Sequence, residues 1–322
     1  MKLLITGGAG FIGVNTALHF LNRASSITIF DNFFRPTSSV NAQFLKKKSS
    51  KIKIVEGDVR DEKKIADEVK QADAIIHLAG QVAVTTSLTD PATDFSINVL
   101  GSFNVLESAR KYNPHATLLY SSTNKVYGDL SKVDIDKHTG IDENTPIDLY
   151  SPYGCSKGSA DLYFLDYARS FGMNTIVFRQ SCIYGPHQYG VEDQGWLAFF
   201  ALQFLRHKPI TVYGTGEQVR DLLFVEDLAE GYEKALQQGP KIAGQVFNFG
   251  GGPQNSVSIN EAINHLAQIF GYTVPLTYDK KRLGDQDYFV ADTRKAERTL
   301  GWKAKTGYQS GLKTMIDWCK QH

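Results

Sequence analysis

Three glycines spaced three residues apart, Gly7, Gly10 and Gly13, separate a short apolar run at 2–6 from a helical pattern at 11–22. Glycines at such a place permit a tight turn between a strand and a helix, and their backbone can approach a pyrophosphate closely. The free N–H groups and dipole of the helix N-terminus favour that negative charge. The string predicts a strand–turn–helix unit that binds a dinucleotide; the alternative is a merely tight turn.

The first half of the chain alternates short β-branched runs with longer helical patterns. This alternation is typical of parallel strands joined by helices that cover both faces of a sheet. We predict an α/β fold with a Rossmann-type doubly wound parallel sheet, whose ligands bind at the carboxyl ends of the strands. The predicted strands are 2–6, 27–31, 52–56, 74–78, 117–121 and 175–179, and the predicted helices are 11–22, 62–69, 91–112 and 152–171.

Beyond about residue 180 the alternation of strand and helix patterns becomes less regular. We interpret this part as a smaller α/β domain that binds the substrate, with helical patterns at 195–206, 260–270 and 309–320. A helical pattern at 224–236 followed by an apolar run at 246–249 indicates that the chain returns to the sheet. The expected domains are therefore discontinuous. The dinucleotide-binding domain is predicted at 1–179 and 222–250, and the substrate-binding domain at 180–221 and 251–322.

Charge and composition exclude several classes of protein. The 322 residues carry 35 Lys plus Arg against 34 Asp plus Glu, which argues against a nucleic-acid or membrane-surface binder because such proteins present clustered basic faces. Three cysteines without paired spacing predict neither a disulfide framework nor a metal site. With no signal-peptide pattern and no apolar run near ~18 residues, we expect a cytoplasmic protein without a membrane partner.

Two carboxylates follow predicted strands at positions that suit a dinucleotide. Asp31 ends the second strand, where it can accept hydrogen bonds from both ribose hydroxyls and would repel a 2′-phosphate, so the sequence favours NAD over NADP. The alternative is that Asp31 only caps a turn. Asp58 follows the third strand and is placed to meet the adenine edge, or equally to cap the helix that begins near 62.

Tyr153 and Lys157 lie four residues apart and therefore share one face of a predicted helix. An ammonium at ~4 Å can lower the pKa of a phenol by roughly three units at an effective dielectric constant of 20, which would make Tyr153 a base. Thr123, just beyond the fifth strand, can supply a hydroxyl that orients the substrate oxygen, or it can belong to an ordinary turn.

These residues together resemble the nucleotide-sugar branch of the extended short-chain dehydrogenase/reductase family, over nearly the whole chain. The resemblance rests on 6–13, Asp31, Asp58, 77–80, Thr123, Tyr153 with Lys157, and 184–186. Four longer strings are more specific and are similar to a subgroup that epimerises C2 of a CDP-linked 3,6-dideoxyhexose for surface polysaccharide synthesis. They are 79–83, 121–129, 151–158 and 193–196.

The resemblance implies redox-neutral epimerisation through a 2-keto sugar, with NAD retained, Tyr153 as base, Lys157 as its electrostatic partner and Thr123 as the orienting hydroxyl. The cofactor-binding residues it implies are Gly7, Gly10, Phe11, Ile12, Gly13, Asp31, Asn32, Asp58, Val59, Leu78, Ala79, Gly80, Tyr153 and Lys157. The implied substrate-binding residues are Gln81, Thr123, Asn124, Arg220 and Arg282, the two arginines clamping the diphosphate. Without the resemblance, ion pairs of Arg220 with Glu217 or Asp221, and of Arg282 with Asp285, are favoured.

Two departures from the wider family bear on the reaction. Cys182 occupies a slot where many relatives have Asn, and Asn124-Lys125 stands where sugar 4,6-dehydratases have an Asp-Glu pair, so elimination of water is not expected. The remaining alternatives are a UDP-hexose 4-epimerase and a catalytically silent NAD-binding module. The presence of Thr123, Tyr153 and Lys157 together argues against the silent module, because a pure binder does not need all three.

The helical patterns at 94–112 and 152–171 are apolar around most of their circumference, which predicts burial on two faces. One face can pack on the sheet, and the other needs a partner. We therefore expect a homo-oligomer, a dimer or tetramer, whose contact is a four-helix arrangement by family resemblance. The residues concerned are Phe95, Val99, Leu100, Phe103, Val105 and Leu106, with Leu162, Tyr163, Phe164, Leu165 and Tyr167.

Overall fold

A computed structural model describes residues 1–321. The strands are β1 Lys2–Thr6, β2 Ser26–Asp31, β3 Ile52–Glu56, β4 Ala74–His77, β5 Thr117–Thr123, β6 Asn174–Gln180, β7 Cys182–Tyr184, β8 Ile210–Tyr213, β9 Val219–Phe224, β10 Val246–Phe249, β11 Ser256–Ser258, β12 Leu276–Asp279 and β13 Tyr288–Phe289. The α-helices are α1 Phe11–Phe20, α2 Pro36–Lys48, α3 Glu62–Val69, α4 Val84–Thr89, α5 Pro91–Phe95, α6 Gly101–Tyr112, α7 Ser151–Phe171, α8 Trp196–Leu205, α9 Val225–Gln238, α10 Ile259–Phe270, α11 Arg294–Leu300 and α12 Tyr308–Cys319. Shorter helical segments are a π-helix at Ser96–Leu100 and 3₁₀ turns at Asn124–Tyr127, Gly239–Ile242 and Pro253–Asn255.

The main sheet has seven strands in the order β10-β6-β5-β4-β1-β2-β3. All neighbouring strands in it are parallel, which confirms the predicted Rossmann-type doubly wound fold and the return of the chain at 246–249. The order reverses between β1 and β4, and in open parallel sheets ligands bind at the carboxyl ends of the strands beside such a reversal. The glycine turn follows β1, so it lies at this point.

The main sheet separates two apolar cores, because successive side chains of a strand point to opposite faces. In β1, Leu3 and Ile5 belong to the core under α1 and α9, while Leu4 belongs to the core under α3, α6 and α7. A third core lies around the smaller sheets and includes Phe204 and Leu312. In this way the main sheet is covered on both faces, as the alternating pattern predicts.

The smaller part of the fold contains a sheet in the order β11-β9-β13, in which β7 also pairs with β9, and a two-stranded sheet of β12 and β8. Strand β9 joins the two parts, since Leu222 packs in the third core and Leu223 in the core of the main sheet. Ala296 and Trp302, near α11, also pack in the main core. The domain boundaries stay a prediction; the one at 222 falls within β9.

The helix predicted at 91–112 is interrupted. The structure has α5, the π-helix and α6 in its place, so the expectation of one regular helix is wrong. The π-helix gives Asn98 room to turn its amide inward, where Nδ2 lies 3.0 Å from Ser156 Oγ on α7. Single π-turns inside helices are frequent at functional sites. Helix α2 was not among the predicted helices, and its last turn consists of the exposed Lys46, Lys47 and Lys48.

Helices α6 and α7 have one buried and one exposed apolar face in the single chain. Val105, Leu106 and Phe164 are buried against the sheet. The apolar side chains on the other side are exposed, and the rings of Phe103 and Tyr163 lie 6.1 Å apart there. The oligomer stays a prediction. Among residues 1–321, no helix has both the length and the apolar character to cross a membrane.

Candidate active site

A cleft of about 860 Å³ lies at the carboxyl ends of the parallel strands. Its walls come from the segments that follow β1 to β6 and from β8, β9 and α8 of the smaller part. Every residue predicted for the site lines this one cleft. These residues are Gly7, Gly10, Phe11, Ile12, Gly13, Asp31, Asn32, Asp58, Val59, Leu78, Ala79, Gly80, Gln81, Thr123, Asn124, Tyr153, Lys157, Arg220 and Arg282.

The glycines of the turn have different structural reasons. Gly7 has φ +65°, and a Cβ there would lie 2.7 Å from Ala79 N in the loop after β4. A Cβ on Gly13 would lie 2.5 Å from Gly8 Cα, so this glycine allows α1 to pack on the turn. By contrast, a Cβ on Gly10 would meet only Gly7 O, at 3.2 Å. The space that a side chain at residue 10 would occupy is therefore open to the cleft.

Gly10 is also the N-cap of α1, and no side chain caps this helix or places an acid in its first turn. The first amides of the helix therefore face the cleft without a competing side-chain acceptor. A helix N-terminus of this kind binds phosphate through its free N–H groups and its dipole. The open space at Gly10 and the uncapped helix together fit the diphosphate of a dinucleotide.

Asp31 joins the glycine turn to the loop after β2. Its Oδ2 accepts a hydrogen bond from Ala9 N at 3.1 Å, and its Oδ1 accepts one from Phe33 N at 2.9 Å. Burial raises the pKa of Asp31, while the two backbone bonds and the charge of Arg35 oppose that rise. Asp31 thus does shape the turn, as the alternative interpretation held, and it also presents its carboxylate to the cleft.

Asp58 does not cap the next helix. The N-cap of α3 is Asp61, which accepts from Lys64 N at 3.1 Å, so that alternative is wrong. Asp58 instead binds Arg60, with Arg60 Nη2 2.7 Å from Asp58 Oδ2, and it accepts a hydrogen bond from Asn32 at 3.0 Å. The bond from Arg60 lowers the pKa of Asp58 far below its ordinary value. An adenine at this edge would meet a carboxylate that is already paired.

Thr123 and Tyr153 meet in the cleft. Thr123 ends β5 and caps the following 3₁₀ turn by accepting from Lys125 N at 3.3 Å, and its hydroxyl lies near enough to Tyr153 to lower the pKa of the phenol. Tyr153 is the third residue of α7, and its backbone N donates to Ser87 Oγ at 3.1 Å. Burial raises the pKa of Tyr153 to about 12, against the lowering effect of the nearby Thr123 hydroxyl. With the chain's own groups alone around it, Tyr153 is a neutral phenol at pH 7.

Lys157 lies one turn beyond Tyr153 but does not perform the expected activation in the ligand-free cleft. Its Nζ donates to Ser121 O at 2.5 Å and lies 4.3 Å from the centroid of the Tyr120 ring. Burial lowers the pKa of Lys157 to about 7, and the charges of Asp161 and Asp94 oppose this. The predicted fall in the pKa of Tyr153 thus requires additional positive charge from a ligand in the cleft.

Gln81 lies in the cleft wall, but its own loop occupies its amide. Gln81 Nε2 donates to Ala83 O at 2.8 Å and to Asp94 Oδ1 at 2.9 Å, and its oxygen accepts from Ala83 N. Asn98 Nδ2 also donates to Gln81 O at 3.0 Å. These bonds connect the loop after β4 with the π-helix. A substrate contact by Gln81 stays a prediction.

Arg220 does not pair with its sequence neighbours. It points away from Asp221, as adjacent residues of a strand do, and its Nη2 lies 2.6 Å from Asp285 Oδ1. Lys125 Nζ approaches the same carboxylate oxygen at 3.3 Å. The expected pairs of Arg220 with Glu217 or Asp221 are therefore wrong, and Arg220 forms a cluster with Lys125 and Asp285 at the cleft wall.

Arg282 also differs from its expected pairing. Its partner is Asp193, at 3.3 Å, and not Asp285. The guanidinium lies over the ring of Tyr213, 3.9 Å from the centroid, and donates to Glu192 O at 3.2 Å. The guanidinium thus holds the loop at 192–193 against the cleft. To bind the diphosphate as predicted, the Arg282 guanidinium has to replace some of these contacts with contacts to the ligand.

The oxygen and the nitrogen of the Asn124 side-chain amide are both hydrogen bonded within the protein. Thr123 Oγ1 donates to Asn124 Oδ1 at 3.2 Å, and Asn124 Nδ2 donates to Gln286 Oε1 at 3.0 Å. The segment that carries Thr123 is thereby fixed to the loop at 284–286. Asn124 has the geometry of a residue that positions Thr123, and its substrate contact stays a prediction.

Arg35, Lys125 and Asp285 are among the charged residues of the cleft that were not predicted as site residues. Arg35 faces Asp31 and is hydrogen bonded to Gln194, across the cleft. Lys125 belongs to the same string as Thr123, which was a usable signal. Asp285 could not be assigned from the sequence, because its partners Arg220 and Lys125 are 65 and 160 residues away.

Comparisons with known proteins agree with this arrangement. The profile of the family described as GDP-mannose 4,6 dehydratase matches residues 4–315. Over 335 aligned residues, the chain is 42% identical to the CDP-paratose 2-epimerase of Salmonella typhi, and the match covers 99% of each protein. The similarity therefore extends over both parts of the fold.

Two crystal structures with bound ligands are similar over the whole chain. The UDP-glucuronic acid 4-epimerase of Bacillus cereus, in complex with UDP-glucuronic acid and NAD, has a TM-score of 0.88 and 28% identity, covering 100% of this chain and 99% of that one. The UDP-glucose 4-epimerase of Thermotoga maritima, with UDP-glucose, has a TM-score of 0.87 and 28% identity with the same coverage. In both cases the similarity includes the segments that line the cleft.

Proposed function

The chain belongs to the GDP-mannose 4,6-dehydratase family of extended short-chain dehydrogenases/reductases, and we propose that it inverts C2 of a nucleotide-linked sugar, converting CDP-paratose to CDP-tyvelose. It is an NAD-dependent nucleotide-sugar epimerase. The observation that carries the proposal is the 42% identity over 99% of the chain to a CDP-paratose 2-epimerase. Thr123, Tyr153 and Lys157 lie in the same cleft as the glycine turn. Lipopolysaccharide O-antigen synthesis and a cytoplasmic location belong to the same proposal.

The residues of the cleft fit NAD at two places. The open space at Gly10 and the uncapped N-terminus of α1 suit the diphosphate. Asp31 presents its carboxylate where a ribose diol can donate to it and where a 2′-phosphate would be repelled. When bound, NAD accepts the hydride of the reacting carbon and returns it to the opposite face, so the reaction is redox neutral.

The chain's own residues manage the proton and the orientation. Thr123 and Tyr153 both contact the hydroxyl at C2 of the sugar. Tyr153 Oη accepts the proton of that hydroxyl while C2 is oxidised to the carbonyl carbon of a ketone. Positive charge in the loaded cleft lowers the pKa of Tyr153 from its ligand-free value of about 12. The proton returns from Tyr153 to the same oxygen after the 2-keto sugar has presented its other face.

The second candidate is a 4-epimerase acting on a UDP-hexose. The similarity to two ligand-bound 4-epimerase structures, with TM-scores of 0.88 and 0.87, favours it. A panel of CDP- and UDP-sugars, incubated with the protein and followed by proton NMR, separates the two candidates. We expect inversion at C2 of the CDP-linked 3,6-dideoxyhexose; inversion at C4 of a UDP-hexose alone would replace the proposal with its alternative.

A further inference from the structure

Lys125 has a charge that the proposed chemistry does not use. Its side chain is only 20% exposed and lines the cleft, two residues beyond Thr123. Its Nζ donates to Gly284 O at 3.2 Å and to Asp285 Oδ1 at 3.3 Å. A buried cation is costly unless it is paired or has a ligand. Both of these bonds are long, and a single shared carboxylate is its only close counter-ion among the described residues.

The cluster around Lys125 carries one surplus positive charge. Asp285 Oδ1 accepts from Arg220 at 2.6 Å and from Gln286 N at 3.1 Å in addition to Lys125, so two cations share one carboxylate. Cys182 adds no negative charge, because burial raises the pKa of its thiol. Burial also lowers the pKa of Lys125, as expected for a cation that is short of compensation. An anionic group in the cleft would supply the missing charge.

The proposed substrate has such a group at a position that depends on the reacting carbon. When the oxygen on C2 is held by Thr123 and Tyr153, C1 and its phosphate are attached to the neighbouring carbon. When the oxygen on C4 is held there, the phosphate lies on the opposite side of the sugar ring. A cation two residues from Thr123 is therefore closer to the sugar-linked phosphate in the first orientation than in the second.

We propose that Lys125 binds the phosphate attached to the sugar and thereby selects the orientation in which C2 reacts. Arg220 and Asp285 position the Lys125 ammonium, and the surplus charge of the three-residue cluster is neutralised by the phosphate. This inference rests on the proposed function for its choice of carbon. The phosphate contact itself is testable without turnover.

The test compares two ligands that differ only by the phosphate in question. CDP contains the phosphate that links to the sugar, and CMP lacks it. Binding of each to the NAD-loaded protein is measured by calorimetry for wild type, Lys125→Met and Lys125→Arg, with the exposed Lys132→Met as the control. The uridine pair UDP and UMP gives the same comparison for a uridine-preferring site.

We expect Lys125→Met to weaken CDP binding at least about tenfold, the effect of losing a charge-assisted hydrogen bond, and to change CMP binding less than about twofold. Lys125→Arg should retain most of the CDP affinity, and Lys132→Met all of it. Unchanged CDP binding in Lys125→Met would overturn the proposal. Equal losses for CDP and CMP would also overturn it, because they would mean that Lys125 only supports the loop at 284–286.

The outcome for the proposed function is read separately, from the carbon that the wild-type protein inverts. A selective loss of CDP binding in Lys125→Met together with C4 inversion by wild type would support the phosphate contact and overturn the choice of C2. C2 inversion by wild type with no selective loss would leave the proposed function standing and remove Lys125 from substrate recognition.

Discussion

The helix that carries Tyr153 and Lys157 is held to the sheet by a buried ion pair, and breaking it should destabilise the whole fold. Asp161, one turn beyond Lys157, accepts from Arg179 Nε and Nη2, both at 3.0 Å. It also accepts from Ser122 Oγ at 2.6 Å. The side chains of Arg179 and Asp161 are 3% and 0% exposed. Asp161→Asn keeps the volume but leaves the guanidinium without its counter-ion.

Removing one partner of a buried pair costs about 3 to 5 kcal/mol, since the remaining charge stays desolvated. In Asp161→Asn, the hydroxyl of Tyr127, 3.1 Å from Arg179 Nη1, is the only other hydrogen-bond partner of the guanidinium among the described residues. At about 2 °C per kcal/mol for a chain of this size, the thermal midpoint should fall by about 6 to 10 °C.

The assay is thermal and urea unfolding of wild type, Asp161→Asn and the matched control Asp166→Asn. Asp166 lies on the same helix and pairs with Arg169 at the surface, so we expect its variant to unfold like wild type. An Asp161→Asn midpoint within 2 °C of wild type would refute the reasoning that this pair holds α7 in place.

Three further predictions concern the cleft and the outer face of α6 and α7. Tyr153→Phe should lower kcat about 10² to 10⁴-fold with little change in NAD affinity, because the ring still packs while the proton acceptor is lost; activity within tenfold of wild type would remove Tyr153 from the mechanism. In the NAD-free protein the pKa of Lys157 is lowered by burial to about 7, from 10.5. Between pH about 7 and 10.5, the unfolded chain therefore binds more protons at Lys157 than the folded chain does. The free energy of unfolding should rise with pH across this range, by at most about 1.4 kcal/mol per pH unit. In urea unfolding at a series of pH values, Lys157→Met should not show this rise in the free energy of unfolding. An unchanged rise would contradict the assignment of the lowered pKa to Lys157. Light scattering should give at least twice the chain mass of 35.8 kDa, and Phe103→Glu should give the monomer; a monomeric wild type at micromolar concentration would contradict the oligomer.

Features that depend on local sequence were predictable. The strand at 2–6, the glycine turn and α1 follow from periodicity and from the conformational freedom of glycine, and the structure has them. Tyr153 and Lys157 could be paired because four residues make just over one helical turn. The resemblance added Arg220, Arg282 and Gln81, and all three line the cleft.

Features that depend on distant contacts were not predictable. The partner of Arg220 is Asp285, brought near by the pairing of β9 with β13, and no periodic pattern reports such a pair. The π-helix at Ser96–Leu100 arises where Asn98 bonds to α7 and to the loop after β4, which is a tertiary effect. The direction of the pKa shift of Tyr153 was also missed, because burial outweighs its polar contacts in the ligand-free cleft.

The central claim, hydride transfer at C2 of the sugar, is tested most directly with CDP-paratose deuterated at C2. A hydride that leaves and returns within one cleft keeps its label, so the account predicts CDP-tyvelose with deuterium fully retained at C2, and no exchange when unlabelled substrate turns over in deuterated water. Loss of the label to solvent would contradict the account, since it would show removal of C2 hydrogen as a proton, and inversion at C4 with an untouched C2 would contradict the choice of carbon.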